Sequence, residues 1–567
     1  MADYWISTYG TSTTPNEKGN GVAVNSSSSI RIGGIIRSVH GNAEDATYWE
    51  YDTYGQFQRA ATVFTNRGAS WSDTFNSVSQ DTSSAATTVT YDVTVVNNSG
   101  NKFSIADIER PILTFSRGNT YVFDQSESSN STHQLALKTS VGASYTTGVT
   151  TTGTPGTAGA NVTIVVASDA PDGLRYYCTT HGDGMGNTIN VNPTTVGNNT
   201  YFVGYVKDSL NAYYNPYIQK VDNYGVTLWE RELAASSSGP LTSGVRSVVD
   251  SAGNVIITCA ASNGGTNNVY VAKFNASGTL QWQKYFNPVY PGDLQSNDLG
   301  RCVAVDSNDN IFIGGEVSGS PTDMLVIKLN SSGVSQWQRC INISSHTNNY
   351  PSKALGITVD SSDNVIVCGT GGYFNDDDVF WKLNNSNGLI QWGRQLKTTG
   401  KDSAFLGVTT DSSDNIYLVG FSHGTTGGAT TGTEGLIAKY NSAGSLLFQR
   451  SFNTNPSSYT PMCGLAGITL DSNNDMIITG YARPDDFNSY TYEYDMIVIK
   501  LPNDGTLTGT YGQRLSSGLF TYEASSHTNS SVSGAEVAAT ETNSTASFVS
   551  SDPGFTNTQN FLLLDVT

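Results

Sequence analysis

One short unit recurs along this chain of 567 residues. The copy that begins at Gly300 reads GRCVAVDSNDNIFIGGEVSGSPTDMLVIKLNSSGVSQWQRCIN, and the copy that begins at Leu355 reads LGITVDSSDNVIVCGTGGYFNDDDVFWKLNNSNGLIQWGRQLK. Each contains an apolar strand, a turn rich in Asp and Ser, a second strand that ends in a small residue, a third strand, a glycine turn and a fourth strand with an aromatic residue. The repeat therefore predicts an all-β fold built from four-stranded antiparallel sheets.

The small residue at the end of the second strand gives the register of the repeats. It falls at Gly34, Gly204, Cys259, Gly315, Gly369, Gly420, Gly480 and Ser550. The first interval is 170 residues, whereas most others are 51 to 60, and removing residues 85–198 reduces it to 56. We therefore predict that residues 85–198 form a domain inserted into the first hairpin of the second repeat, because loop tips tolerate insertions.

The two ends of the chain predict how the repeats close into a ring. The tail supplies three strands of an eighth unit, and DYWISTYG near the N-terminus reads as the missing fourth strand, with Trp5 as its aromatic residue. Pairing of residues 2–9 with a strand near 560–566 would remove the open edges of the array. This predicts an eight-bladed β-propeller, with seven blades as the alternative. It would comprise residues 1–84 (closing strand, first blade and start of the second) and residues 199–567.

One aromatic residue lies in each predicted fourth strand. We expect these side chains to pack between neighbouring blades rather than to stack on a ligand. They are Trp5, Phe57, Trp229, Trp282, Trp337, Trp392, Phe448 and Tyr511.

The core of the units, for example VDSSDNVIVCG from Val359 to Gly369, resembles the bacterial β-propeller repeats known as seven-bladed propeller repeats. The resemblance covers about residues 1–84 and 199–567. It implies the propeller fold and carries almost no information about function.

The predicted insert contains short strands such as VTYDVTVV and VTIVVAS and lacks helical periodicity, which predicts a small β-sandwich. Its last loop, YYCTTHGDGMGN, spaces Cys178, His181 and Met185 as C-x2-H-x3-M, and His133 lies upstream. Two imidazoles, a thiolate and a weak axial thioether are the donors of a blue-copper site. The sequence predicts a copper site at these four residues; the alternative is an empty site whose Cys and Met only pack.

The insert resembles the cupredoxins, because all four ligand types occur in the cupredoxin order. More narrowly, YVFDQSESSNSTHQLAL, YTTGVTTTGTPGTAGA and VASDAPDGLRYYCTTHGDGMGN resemble a cupredoxin-like module in virion structural proteins of marine phages, cyanophages especially. This resemblance covers nearly the whole insert. It implies a virion protein rather than a metabolic enzyme.

The overall composition excludes several classes of partner. The net charge is −19, and an acidic surface repels phosphate backbones, so we expect no nucleic-acid partner. The start, MADYWISTYG, has no secretory pattern, and no apolar run has the length of a membrane helix, so we expect no membrane insertion. Five cysteines sit in apolar strand-like runs and are predicted to be buried free thiols of a chain folded in a reducing cytoplasm: Cys259, Cys302, Cys340, Cys368 and Cys463.

Two short motifs resemble functional sites but fit the repeat better. GFSHG, Gly420 to Gly424, matches the G-x-S-x-G motif of hydrolases, yet no helix is expected after it. DSNDN at Asp306 resembles the start of a calcium loop, yet it recurs as a turn and has Ile311 where glycine is needed. We therefore expect no catalytic residue.

The sequence thus predicts a non-enzymatic structural protein of a tailed-phage virion, in the tail, neck or fibre apparatus. The propeller would be the scaffold and the insert a projecting interaction module. Its partners would be other virion proteins and host-surface glycans or a receptor. The alternatives are a bacterial blue-copper electron-transfer protein on a propeller scaffold and a carbohydrate-binding propeller.

Overall fold

The structure is a computed structural model. It describes residues 5–9, 18–24, 29–37, 44–52, 54, 56–63, 73–81, 88–167, 169–192, 199–207, 214–223, 225–234, 241–263, 266–289, 298–317, 322–343, 352–371, 377–397, 403–423, 433–454, 463–482, 494–511, 520–524, 528–531, 534–538, 540–545 and 549–551. Across these ranges the regular elements are β-strands and two single-turn 3-10 helices, Ser128–Asn130 and Asp183–Met185. The all-β prediction is confirmed.

Outside the insert, the described strands repeat one four-stranded antiparallel unit, which we number sheets I to VII. The first four sheets contain these strands: sheet I, β2 (Lys18–Val24), β3 (Ile30–Arg37), β4 (Glu44–Tyr51) and β5 (Phe57–Val63); sheet II, β6 (Thr74–Asp81), β17 (Asn199–Lys207), β18 (Tyr214–Val221) and β19 (Thr227–Ala234); sheet III, β20 (Leu241–Val249), β21 (Val255–Asn263), β22 (Thr266–Phe274) and β23 (Leu280–Val289); sheet IV, β24 (Leu299–Val305), β25 (Ile311–Val317), β26 (Asp323–Leu329) and β27 (Ser335–Ile343).

The other three sheets continue the pattern along the chain. They contain these strands: sheet V, β28 (Ser352–Val359), β29 (Val365–Gly371), β30 (Asp377–Leu383) and β31 (Ile390–Lys397); sheet VI, β32 (Ser403–Thr410), β33 (Ile416–His423), β34 (Thr433–Tyr440) and β35 (Leu446–Thr454); sheet VII, β36 (Cys463–Leu470), β37 (Met476–Ala482), β38 (Asp495–Leu501) and the N-terminal β1 (Trp5–Tyr9).

The first strands of consecutive sheets contact one another. The order runs from β2 through β6, β20, β24, β28 and β32 to β36, and β36 contacts β2 again. The sequence of sheet-to-sheet contacts therefore returns to its starting point.

The small residue near the end of each second strand has a steric cause. In sheet V a β-bulge between Ala354 and Gly356 pushes the first strand toward the second. A Cβ atom on Gly369 would lie 1.8 Å from the carbonyl oxygen of Lys353, and one on Gly420 in sheet VI would lie 1.8 Å from that of Ala404. The repeated glycine is therefore required by the close approach of the bulged strand.

In sheets II, III, IV, V and VII, an Asp that follows or ends the first strand pairs with a Lys of the third strand. In sheet V, the carboxylate of Asp360 accepts the backbone N–H groups of Ser362 and Asn364 and pairs with Lys382 Nζ at 2.6 Å. Lys382 lies on β30, so one side chain ties the turn to that strand. The same ion pair recurs at Asp81–Lys220, Asp250–Lys273, Asp306–Lys328 and Asp471–Lys500.

A second acidic residue of the turn joins one sheet to the next. Asp363, at φ 62°, accepts the backbone N–H and the hydroxyl of Ser307 in sheet IV at 3.0 and 2.8 Å. Asp309 does the same for Ser251. A third copy of this contact joins Ser361 to Asp414.

The aromatic residues of the fourth strands pack against the glycine turn of the following sheet. A Cβ atom on Gly388 would lie 2.7 Å from the Trp337 ring, and one on Gly278 would lie 2.8 Å from the Trp229 ring. Trp229 Nε1 also donates to Ala276 O at 2.9 Å. The predicted packing between units is confirmed for these residues, whereas the side chains of Trp5 and Tyr511 lie outside the described part of the structure.

The predicted partner of the N-terminal strand is wrong. β1 pairs with β38, with Trp5 opposite Lys500 and Tyr9 opposite Met496, and it completes sheet VII. Residues 560–566, its predicted partner, lie outside the described residues. Residues 463–501 supply three strands of sheet VII, and its fourth strand is β1 rather than the predicted strand that contains Tyr511.

The tail does not form the predicted eighth unit within the described residues. β39 (Gly509–Tyr511) pairs with β40 (Phe520–Ala524), and the tail strands then pair with the outer strands of sheets VI, V, IV, III and II in that order. The later strands are β41 (Thr528–Ser531), β42 (Gly534–Ala538), β43 (Thr540–Thr545) and β44 (Val549–Ser551). Ser550 accordingly lies in a fifth strand of sheet II. We call residues 520–551 the C-terminal belt.

The insert begins and ends beside one strand pair. Asp81 at the end of β6 is opposite Asn199 at the start of β17. Between them lie a four-stranded insert sheet, in the order β10-β16-β15-β12, and a six-stranded insert sheet, in the order β13-β14-β11-β7-β8-β9. Their bounds are β7 (Thr88–Asn97), β8 (Asn101–Ile105), β9 (Ile108–Glu109), β10 (Leu113–Ser116), β11 (Thr120–Asp124), β12 (Leu135–Thr139), β13 (Val149–Thr152), β14 (Asn161–Val165), β15 (Gly173–Cys178) and β16 (Thr188–Asn192). The boundaries 1–84, 85–198 and 199–567 stay a prediction, since residues 82–87 and 193–198 are outside the described ranges.

The two insert sheets face each other across an aromatic core. The Phe115 and Tyr121 rings, one from each sheet, stack with centroids 3.9 Å apart. Phe123 and Tyr176 extend the contact. At one end Ser116 Oγ donates to the Asp222 carboxylate of the β18–β19 turn at 2.7 Å, which anchors the insert on sheet II.

Candidate metal centre

Two segments carry the predicted ligands, and strand pairing brings them together. Cys178 is the last residue of β15 and is opposite Leu135, the first residue of β12. His133 lies two residues before Leu135, so it reaches the same end of the sheet. Because β15 is antiparallel to β16, which is parallel to β10, this end is opposite the one that Ser116 anchors on sheet II. The site therefore lies at the far end of the insert.

Three of the four predicted ligands converge. Cys178 Sγ lies 3.5 Å from His181 Nδ1 and 3.9 Å from His133 Nδ1, and the two imidazole centroids are 4.6 Å apart. The three candidate ligand atoms all lie within 4.8 Å of one another. Among the described residues, this is the one His, Cys, Asp and Glu group with such an arrangement.

The loop after Cys178 turns back on itself to present His181. Gly182 N–H donates to Cys178 O at 2.8 Å, and Cys178 N–H donates to Gly182 O at 3.3 Å. Gly182 has a φ of +70°, which favours glycine. The 3-10 turn Asp183–Met185 follows, and Met185 is buried in the same apolar cluster as Cys178. The structure thus places the fourth predicted residue on the ligand loop, with its side chain inside the sandwich.

Cationic side chains from other strands hold the ligand loop. Lys102 Nζ donates to Gly184 O, and Arg110 Nε donates to Gly186 O, both at 2.9 Å. Lys138 pairs with Asp183. These contacts tie the loop to three different segments of the insert, so its conformation does not depend on a bound ion alone.

Two polar residues near His133 had no signal in the sequence. Gln125 Nε2 donates to His133 O at 2.8 Å, and its Oε1 accepts the Leu135 N–H at 3.0 Å. The Asn101 amide lies 3.3 Å from His133 Nε2. Neither residue belongs to a spacing pattern, because each meets His133 only through the tertiary fold.

The ligands differ in exposure. Cys178 is 0% exposed and His133 is 7% exposed, whereas His181 is open to solvent. Burial lowers the pKa of His133, and the neighbouring His181 lowers it further. At neutral pH His133 is therefore a neutral imidazole with a lone pair that can ligate.

The donor set fits a metal ion better than a nucleophilic site. Two imidazole nitrogens, one sulfur and a buried thioether on the same loop match the preferences of copper. A thiol beside an imidazole can also act as a nucleophile, but it must meet its substrate. Cys178 has no exposed surface, so an electrophile cannot reach it.

The other five cysteines have a structural role. All six cysteines are free and buried, which confirms that the five outside the site are buried free thiols. Burial raises the pKa of Cys302 and Cys340 to about 12, so they are protonated and unreactive at neutral pH.

The two competing motifs are parts of the sheets. Ser422, the centre of GFSHG, is fully buried in β33 and is not at a strand-to-helix turn. The Asp306 carboxylate accepts the backbone N–H groups of Asn308 and Asn310, as in the other turns. Neither motif forms a site.

Within the described ranges, no helix has the length and apolar character needed to cross a membrane.

Comparison with known proteins gives distant likenesses. No protein family and no curated protein matches the sequence. Sqt1 of Chaetomium thermophilum is similar in structure, with a TM-score of 0.38 and 9% identity over 89% of this chain and 99% of Sqt1. Quinohemoprotein alcohol dehydrogenase of Comamonas testosteroni has a TM-score of 0.32 and 10% identity over 62% of this chain and 75% of the enzyme. The polysaccharide lyase Uly1 has a TM-score of 0.31 and 10% identity over 58% of this chain and 84% of the lyase. At these scores no property of those proteins is carried over; the chain itself has a mostly-β architecture of repeated strands.

Proposed function

We propose that this protein is a non-enzymatic structural component of a tailed-phage virion that carries a copper-binding, cupredoxin-like module. In this proposal, sheets I to VII are the blades of a seven-bladed β-propeller, which acts as a scaffold. The insert projects from sheet II as an interaction module. Its partners are other virion proteins and a receptor or glycan of the host surface.

The copper-binding part of the proposal is supported above all by one observation, the convergence of His133, Cys178 and His181 within 4.8 Å at the far end of the insert. Met185, buried on the same loop, would be the fourth residue to hold the ion. A bound copper ion would supply one-electron redox chemistry. The chain would hold it with a buried thiolate and imidazole on one side and the exposed His181 on the other.

The virion part of the proposal is supported by the resemblance of the insert to a module of marine-phage structural proteins. The anchored position of the insert also suits a projecting module, since the Ser116–Asp222 contact keeps one end against sheet II. The cyclic order of contacts between first strands supports the propeller scaffold.

An electron-transfer protein on a propeller scaffold is the second candidate. It is favoured by His181, because an exposed ligand gives a redox partner access to the metal. A carbohydrate-binding propeller has less support. Tyr54 is the large exposed aromatic residue among the described ones, and Trp229, Trp282, Trp337 and Trp392 of the fourth strands are buried or half-buried.

Copper titration tests the site. Adding Cu(II) to the purified chain should produce an intense visible thiolate absorption with one ion per chain, and Cys178→Ser should abolish it. Cys340→Ser, which alters a buried thiol far from the imidazoles, is the matched control and should keep the colour. A colourless wild-type protein would refute copper binding.

Mass spectrometry of purified phage particles tests the virion assignment. Peptides from this chain should remain with density-purified particles at a stoichiometry fixed by the tail symmetry. Recovery only from the host lysate would refute the virion part and favour the electron-transfer alternative, provided that the copper colour is present and reversibly reduced.

A further inference from the structure

The β7–β8 hairpin contains no predicted ligand, yet it contacts both ligand-bearing segments. Asn101 and Lys102 are the first two residues of β8. The Asn101 amide lies 3.3 Å from His133 Nε2, and Lys102 Nζ donates to Gly184 O in the ligand loop. The tight turn before β8 fixes this position, since Asn97 is opposite Asn101 and Gly100 has a φ of +105°.

The Asn101 contact determines which nitrogen of His133 faces the site. An imidazole has two ring nitrogens, and a neutral ring carries one proton. Asn101 holds Nε2, so Nδ1 points to Cys178 Sγ, 3.9 Å away. A ligand nitrogen must offer its lone pair, which requires the ring proton to be on Nε2.

We propose that Asn101 is a positioning residue that presents Nδ1 of His133 to the ion and accommodates the ring proton on either nitrogen. This inference rests on the proposed copper site. When Nδ2 of Asn101 faces Nε2 of His133, the amide donates a hydrogen bond to the ring, and the ring proton is on Nδ1 of His133. With the amide turned by half a rotation, Oδ1 accepts from Nε2–H, and Nδ1 is free to ligate.

The chemistry of the amide distinguishes this role from simple packing. A carboxylate can only accept, so Asn101→Asp would hold the ring proton on Nε2 permanently. An apolar side chain of similar size, as in Asn101→Leu, makes no hydrogen bond to the ring and would favour neither position of the ring proton. Residues that orient a ligating histidine typically change metal affinity by about 10- to 100-fold when they are replaced.

Nitrogen-15 NMR of the imidazole rings tests the inference without any metal. The chain has six histidines, so the ring signals are few, and those of His133 are identified by their loss in His133→Gln. We expect the proton on Nδ1 in wild type, on Nε2 in Asn101→Asp, and exchanging between the two in Asn101→Leu. Asn98→Leu, in the same hairpin but bonded to Glu109, is the matched control and should leave the ring unchanged.

Copper affinity gives the second measurement. Asn101→Leu should weaken binding by about 10- to 100-fold, and Asn101→Asp should restore it. Unchanged ring signals and unchanged affinity in Asn101→Leu would overturn the inference. A wild-type protein that binds no copper would refute the proposed function, while the ring signals would still decide whether Asn101 selects the nitrogen.

Discussion

At the scale of single residues, Asp323 is a carboxyl group whose ionised form is disfavoured by burial in the folded protein. It is the first residue of β26, it is 1% exposed, and its Oδ1 has no hydrogen-bond partner among the described residues. Burial raises the pKa of Asp323 from its ordinary value of 3.8 to about 6. The folded protein therefore holds this proton more tightly than the unfolded chain does.

This predicts a pH-dependent loss of stability. The free energy of unfolding should fall as the pH rises from about 4 to above 6, because ionisation is disfavoured only in the folded state. Asp323→Asn should remove this slope, so its stability relative to wild type should improve by about 1 kcal/mol between pH 4.5 and pH 7.5. Urea unfolding at the two pH values measures it. Asp172→Asn, at an exposed carboxylate, is the control, and an equal effect at both pH values would contradict the prediction.

The residues of the candidate site show what a sequence can and cannot reveal. The sequence predicts the four candidate ligands because three of them share one loop and all four are unusual donor types. They are His133, Cys178, His181 and Met185. Gln125, Asn101 and Lys102 were not predicted, because a donor aimed at a neighbouring segment leaves no periodic mark along its own strand. Spacing identifies ligands on one loop, whereas the groups that orient them come from elsewhere in the fold.

At the scale of elements, the glycine turn between β30 and β31 determines how sheets IV and V pack. Gly388 has a φ of +72°, and a Cβ atom there would lie 2.7 Å from Trp337. Gly388→Ala should reduce stability by about 2 to 4 kcal/mol, through the left-handed backbone and the overpacked ring. In a Trp337→Leu background the same change should reduce stability by only about 1 kcal/mol, because only the cost of the left-handed backbone remains. Urea midpoints of the four proteins measure the coupling, and equal losses in both backgrounds would show that the ring is not the obstacle.

The repeated ion pair makes a second prediction for the elements. Lys382→Met leaves the buried Asp360 carboxylate without its cation and should reduce stability by about 3 to 5 kcal/mol. Adding Asp360→Asn should recover more than half of that loss, because the amide oxygen can still accept the turn N–H groups. Thermal melting of the single and double variants is the measurement. A double variant as unstable as the single one would contradict the account.

The elements were predictable where the signal was local. The Asp-Ser turns, the glycine that ends the second strand and the fourth-strand aromatics are each determined within one repeat or its neighbour. The Lys of the third strand was missed as a partner of the turn Asp because the two are 22 positions apart in the sequence, as at Asp360 and Lys382. A pattern within one strand cannot link two residues that lie on different strands of the sheet.

At the scale of the whole molecule, β1 is the strand that joins the two ends of the repeat array. Deleting residues 1–9 removes five residue pairs and exposes the edge of β38. The melting temperature should fall, and a synthetic peptide of residues 1–10 should restore it. Ser7→Pro, which keeps the length but disrupts the pairing, should resemble the deletion. An unchanged melting temperature in both variants would show that closure of sheet VII contributes nothing.

The C-terminal belt covers sheet edges that would otherwise be open. Truncation after Thr508 should leave sheets I to VII folded but expose the outer strands of sheets II to VI. Such edges pair with other chains, so the truncated protein should self-associate in a concentration-dependent way, and light scattering would detect this. A monomeric truncated protein would show that the belt does not protect these edges.

The pairing of β1 with β38 and the position of the C-terminal belt could not be predicted from the sequence. Each strand of the belt pairs with a strand far away in the chain, and six or fewer residues per pairing give a weak pattern. A local pattern therefore predicts that a tail segment is a strand, but it does not predict which strand it pairs with. Topology between distant segments follows from packing and not from periodicity.

The pairing of β1 with β38 also sets an order in time. Tyr9 and its partner Met496 are 487 positions apart (496 − 9), so the ribosome must add all of that chain before sheet VII can close. At about 5 to 20 residues per second, the N-terminal strand waits on the order of 25 to 100 s for its partner. During translation, sheets I to VI can form as their strands emerge, whereas β1 has no partner until β38 has been synthesised. A nascent chain that stalls before β38 therefore leaves β1 unpaired, and sheet VII can be completed only after residues 495–501 have been synthesised.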